Sequence, residues 1–197
     1  MPSHKHHDRI VDAAMALAAE RGWRGLSLAE VAARAEVSLA DLVDAFPSRS
    51  SILDAYGRRI DERMLAGGHE TEGPVRDRLF DVLMRRFEAM APDRRALAVI
   101  LRDGGIDPLA ALCGLRRFGR SMALTLEAAG LSSEGLAGLA RIEALSIVAL
   151  YAFRVFLDDD SADLSRTMAA LDSALRRAEG VAGLVWRRSA VRTQPVP

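Results

Sequence analysis

Two aspartates three residues apart, Asp41 and Asp44, sit in the short segment Ser38–Phe46, whose apolar residues are Leu39, Leu42, Val43 and Phe46. Residues three apart are neighbours on a helix surface, so both carboxylates share one face. A carboxylate only accepts hydrogen bonds, and in a DNA major groove its natural donor is the N4 amino group of cytosine. Phosphates call for the opposite charge, that of Lys or Arg. Other chemistry-bearing residues are scattered. His4, His6 and His7 have a chelating spacing, but a polar terminal stretch predicts a solvated tail in preference to a metal site. His69 stands alone in a linker. The run Asp158-Asp159-Asp160-Ser161 reads as a helix-start loop, where negative charge is favourable. Cys113 has no nucleophile–base arrangement around it and reads as a small buried residue. With no Gly-rich phosphate loop and no Cys/His zinc spacing, the expectation is a binding protein: no enzyme, no cofactor, no metal.

The elements that must position the two aspartates are legible. Ile10, Ala13, Ala14 and Leu17 recur at helical spacing over Ile10–Glu20, and Arg21-Gly22 ends that segment. Ser27 with Glu30 makes a capping box for a second helix that turns Leu28, Val31 and Ala32 inward. The turn Ala35-Glu36-Val37 leads to Ser38, the N-cap of the third helix, and Pro47 closes it. Two short helices about so brief a turn predict a helix-turn-helix with Ser38–Phe46 as recognition helix. Residues 1–56 carry six basic and eight acidic side chains, an unusually acidic balance for a DNA-binding head.

The 197 residues carry no formal net charge, and half are hydrophobic. That composition allows a sizeable core in a small head plus a larger body. Strand-like alternation is absent, so the fold class is all-α. No apolar run of about 18 residues is evident, which predicts no membrane span. The polar, His-rich start is no signal peptide, and a single Cys suits a reducing cytoplasm.

Beyond a fourth helix at about Ser48–Leu65, the polar stretch Ala66–Pro74 marks a break, with Pro74 placed at the first position of a fifth helix reaching Met90. A short helix over Pro92–Leu101, a helix start at Pro108, a helix over Gly114–Ala129 and two long helices over about Ser133–Asp158 and Ala162–Glu179 follow. Leu83, Phe87, Met90, Ile100, Phe118, Met122 and Tyr151, with Leu97, Leu101, Leu115 and Leu126, form a candidate apolar ligand lining. The expected domains are a head over 1–56, with helix four continuing to about 65, a ligand and dimerisation body over 74–180, and a basic, flexible tail over 181–197. Val181, Leu184, Val185 and Trp186 beside Arg187 and Arg188 make the tail a short amphipathic piece able to touch an anionic membrane.

The runs IVDAAMALAAERGW, LSLAEVAARAEVS and FPSRSSIL resemble the DNA-binding domain of the TetR family of bacterial repressors. The resemblance implies a TetR-like homodimer whose last two long helices pair with their twofold mates. Leu145, Val148, Ala149, Ala152 and Val155 would supply one face, and Leu164, Met168, Leu171 and Leu175 the other. It further implies a ligand-responsive repressor that binds operator DNA through Arg9, Ser27, Ser38, Leu39, Asp41, Ala45 and Arg49. Of these, Arg49 matches the family's phosphate-contacting position, and Asp41 and Ala45 would face bases. The recognition helix departs from the family pattern, with Val43, Asp44 and Ala45 where Tyr and His are usual. The closing segment, through Tyr151, Phe156, Leu157, Asp158, Asp160, Ser161, Thr167, Met168, Leu171 and Asp172, is similar to the TetR-fold lipid-binding family of ubiquinone biosynthesis. That similarity implies an alternative: a lipid or isoprenoid carrier without DNA binding.

Overall fold

The computed structural model describes residues 4–68, 72–103 and 108–186, with side chains over 6–68, 72–103 and 114–180. The described residues form helices and no strand. They are α1 (His4–Arg21), α2 (Leu28–Ala35), α3 (Leu39–Ala45), α4 (Arg49–Leu65), α5 (Val75–Met90), α6 (Arg94–Asp103), α7 (Pro108–Ala128), α8 (Gly135–Leu157) and α9 (Ser165–Trp186), with one 3-10 turn at Ala91–Asp93.

Sequence and structure differ at several helix ends. α1 begins at His4, so the histidine run is helical. The His7 ring meets Phe46 edge-on at 5.2 Å, so this histidine packs against the head core, while His6 is exposed to solvent. Pro74 is the N-cap of α5, one position earlier than expected, because its ψ of 144° is extended. The start at Pro108 and the helix expected from Gly114 are one continuous helix. The side chains of Cys113, His69 and the 181–197 tail lie outside the described residues, although α9 itself continues to Trp186.

α9 starts at Ser165, three residues later than the expected Ala162, and the acidic loop before it serves its first turn by an indirect route. Asp159 is fully buried and accepts from the Thr167 amide at 2.7 Å and the Thr167 hydroxyl at 2.6 Å. Its other oxygen accepts from the Ser161 amide and hydroxyl, while the Ser161 hydroxyl takes the Ser165 amide at 3.0 Å. Burial alone would raise the Asp159 pKa, but the hydrogen bonds from Ser161 and Thr167 outweigh it and hold the carboxyl far below its usual range.

α8 bears on two expectations, the membrane span and the paired stripes. Its 23 residues contain an 18-residue window of mean hydropathy 1.6, so it is long and apolar enough to cross a membrane by length and composition. Its faces, however, are divided. Leu145, Val148, Ala149, Ala152 and Phe156 are buried inside the chain against its neighbours, as are Leu164, Leu171 and Leu175 on the α9 side. The stripes expected to pair with a second chain therefore fill this chain's own core, with Met168 and Val155 partly exposed. The outward face of α8 is instead Leu136, Leu139, Ile147, Leu150 and Tyr151, with Ile147 66% exposed.

Candidate nucleic-acid interface

The head is held by an apolar centre from α1 to α4: Ile10, Ala14, Leu17, Val31, Leu42, Phe46 and Ile52 are all buried. α2 starts on the expected capping box, in which the Ser27 hydroxyl accepts from the Glu30 amide at 3.2 Å and Glu30 accepts from the Ser27 amide at 2.9 Å. α3 starts on Ser38, whose hydroxyl accepts from the Asp41 amide at 3.0 Å. Glu36 closes α2 in the left-handed region at φ 53°, which turns the chain toward α3.

The geometry of α3 sorts its residues. Leu42 is fully buried, and Ala45 is half-buried on the same side. At about 100° per residue, Ala40 and Asp44 fall opposite Leu42, flanked by Val43 on one edge and Asp41 on the other. All four are exposed. Asp41 thus stands at the presented face as expected, while Ala45 lies toward the core. Ala40, Val43 and Asp44, absent from the expected contact set, lie on that face; counting around the helix from Leu42 is the sequence signal that finds them.

The two arginines are engaged within the chain. The Arg49 guanidinium donates to the carbonyls of Trp23 at 2.5 Å and Arg24 at 2.9 Å, with its carbon 5.8 Å from the Trp23 ring. Arg9 donates to the Ala35 carbonyl at 2.5 Å and pairs with Glu36 at 3.2 Å. Arg34 pairs with Glu20 at 2.8 Å. Ser27 is spent on its cap, and Leu39 is 47% exposed at the start of α3.

The body grips this head at several points. Asp103, the last residue of α6, accepts from the Trp23 amide at 2.8 Å and the Arg24 amide at 3.4 Å, which lowers its pKa. On α4, Asp61 takes Arg86 of α5 at 2.5 Å and the Ser121 hydroxyl of α7 on the same oxygen. Asp54 pairs with Arg117 of α7, while Arg59 of α4 pairs with Asp12 of α1 at 2.5 Å inside the head's own helices.

Leu83, Phe87, Met90 and Met122 are buried together on α5 and α7, with Phe87 and Phe156 ring centroids 5.3 Å apart. Leu126 is buried too, Leu97, Ile100 and Phe118 are partly buried, and Leu101 and Leu115 are exposed. Tyr151 sits apart on the outward face of α8 under the Arg177 guanidinium, 5.7 Å from its ring. No group of three or more His, Cys, Asp or Glu is arranged to hold a metal ion among the described residues.

A helix-turn-helix head set on a helical body is the architecture that these elements build. Residues 10–56 match the model of bacterial regulatory proteins of the tetR family. The match covers the head alone, and the chain as a whole has a TetR-like fold. A TetR transcriptional regulator from Nitrosomonas europaea is 25% identical and superposes with a TM-score of 0.74, covering 88% of this chain and 98% of its own. One from Rhodococcus sp. RHA1 is 21% identical with a TM-score of 0.65 over 88% and 95% of the two chains. The Thermus thermophilus repressor FadR in complex with lauroyl-CoA is 22% identical with a TM-score of 0.56 over 97% and 98%. No curated protein matches the chain. These matches lend no support to a lipid carrier of ubiquinone biosynthesis.

Proposed function

We propose that this chain is a ligand-responsive transcriptional repressor that binds operator DNA as a homodimer in the cytoplasm, with no reaction of its own. The observation that carries the reading is the tetR-type head, which presents α3 outward on a TetR-like body. The units are a head over 1–56, with α4 running to about 65, and a ligand and dimerisation body over 74–180. The outward stripe Leu136, Leu139, Ile147, Leu150 and Tyr151 supports a second copy as partner, because twofold pairing buries the same patch on both chains. Dimer symmetry then sets two heads in successive major grooves. Within the head, Ser38, Leu39 and Asp41 are the expected contacts that stand on or beside the presented face. Ser27, Arg9 and Arg49 act there by fixing the turns that aim it.

The ligand is apolar. Leu83, Phe87, Met90, Ile100, Phe118 and Met122 gather from α5, α6 and α7, and FadR is described with lauroyl-CoA, an acyl ligand on the same fold. A ligand that parts these helices pulls on α4 through Asp61–Arg86–Ser121 and Asp54–Arg117 and on the α1–α2 turn through Asp103. The spacing of the heads changes, and the operator is released. Genomic DNA capture by the purified protein, sequenced at about 0.1 M salt beside an Ala40→Glu control, tests the reading. Enrichment of a palindromic site that the control loses is expected. Absence of any enriched site overturns it.

A further inference from the structure

The presented face of α3 holds no side chain that can donate a hydrogen bond. Residues Leu39–Ala45 comprise two carboxylates and hydrocarbon. The neighbouring Ser38 hydroxyl donates to Asp41 at 2.5 Å, so it too is occupied. Asp44 points directly away from buried Leu42 and makes no hydrogen bond or ion pair among the described residues. Leu39 and Val43 are 47% and 44% exposed on the flank. Arg9, Arg34 and Arg49 are bound to carbonyls or acids of the head.

In the major groove guanine offers two acceptors, N7 and O6, and the usual reader is a bidentate Arg or Lys. A carboxylate against those atoms is repelled. Cytosine offers the N4 amino donor instead, and thymine offers a methyl group that suits an aliphatic side chain. Resting on the DNA-binding reading above, we infer that α3 reads its operator by acceptance: Asp44, with Asp41 beside it, takes a cytosine N4 amino group, while Val43 and Leu39 lie against thymine methyls. Ala40, at the middle of the face, carries only a methyl group, so the helix backbone approaches the base edges closely. The half-site therefore presents pyrimidines to α3 on the strand it faces, and guanine on that strand is excluded.

Selection of bound duplexes from a random pool by the full-length protein tests this, followed by competition with single-base changes. The expected half-site has a cytosine whose replacement weakens binding about tenfold, next to one or two thymines. Asp44→Ala flattens the preference at that cytosine. Asp44→Asn moves it toward adenine, since an amide can both donate to N7 and accept from N6. A merely structural role would not produce such an exchange of base preference. Because Asp44 is exposed and has no partner among the described residues, circular dichroism should show both variants folded. A selected site with guanine at the helix-facing positions, or one whose base preference neither variant changes, overturns the inference and leaves the regulator reading standing. Failure to select any duplex overturns both.

Discussion

Helices α2 and α3 start on the same plan and end in different employment. Each has a serine N-cap and an acid three residues on, Ser27 with Glu30 and Ser38 with Asp41. Glu30 is long enough to reach back to the Ser27 amide and close a reciprocal box. Both acids accept the hydroxyl of their serine, but Asp41, one methylene shorter, does not take the Ser38 amide as well. α2 buries Val31, Ala32 and Ala35, whereas α3 buries only Leu42. A helix held by three side chains is scaffold. One held by a single leucine and its C-cap Phe46 leaves most of its surface for presentation. The acid of a start motif thus serves the helix in α2 and remains at the outer surface in α3.

The contrast can be broken most sharply at its single anchor. Leu42→Ala should cost about 2–5 kcal/mol in denaturant unfolding, the usual toll for a buried leucine, while Val43→Ala changes stability by less than about 0.5 kcal/mol. A third start acid, Asp159, extends the comparison, since it is buried. Asp159→Ala should cost about 2–3 kcal/mol, because the Thr167 and Ser161 donors lose their acceptor inside the body. Its folded pKa lies below its unfolded value of about 3.9, so its contribution is complete above that pH and drains away as the pH falls through and below it. Acid titration of the melting temperature should show this loss for the parent chain and a flatter curve for Asp159→Ala. The exposed caps are weaker: Ser27→Ala and Ser38→Ala should each cost about 1 kcal/mol, and a much larger loss for Ser38 would mean that α3 is no freer than α2. The smallest effect lies between the helices. Glu36→Gly should gain about 0.5–1 kcal/mol by relieving the left-handed backbone at φ 53°, a gain reduced by loss of the exposed pair with Arg9.

The head was legible because short-range rules govern it. Serine caps, a three-residue turn and a closing proline set α2 and α3 within a residue of where they were expected, and Leu28, Val31, Leu42 and Phe46 turned inward as their spacing required. The outward face of α3, with Asp41 and Asp44, follows from the same periodicity, whereas analogy with a family position turns Ala45 toward bases against the helix's own geometry. The arginines were harder. Nothing local tells that Arg49 will find the Trp23 carbonyl 26 residues back, because that contact exists only once α4 crosses the α1–α2 turn. In the body, α8 is apolar on nearly every side, so periodicity does not say which stripe faces its own chain. Only packing against α9 and α7 decides that Leu145 goes in and Ile147 stays out.

The hydrogen bond from the Trp23 amide to Asp103 also makes the molecule its own optical probe. The chain has two tryptophans, Trp23 and Trp186. Trp23 is 8% exposed, wedged between the end of α6 and the Arg49 guanidinium, so any movement of α6 alters the charges around its indole. In a Trp186→Phe background its emission colour and quenching would follow the junction of head and body directly, with no dye attached, and would separate ligands that are merely held from those whose arrival is felt by the head.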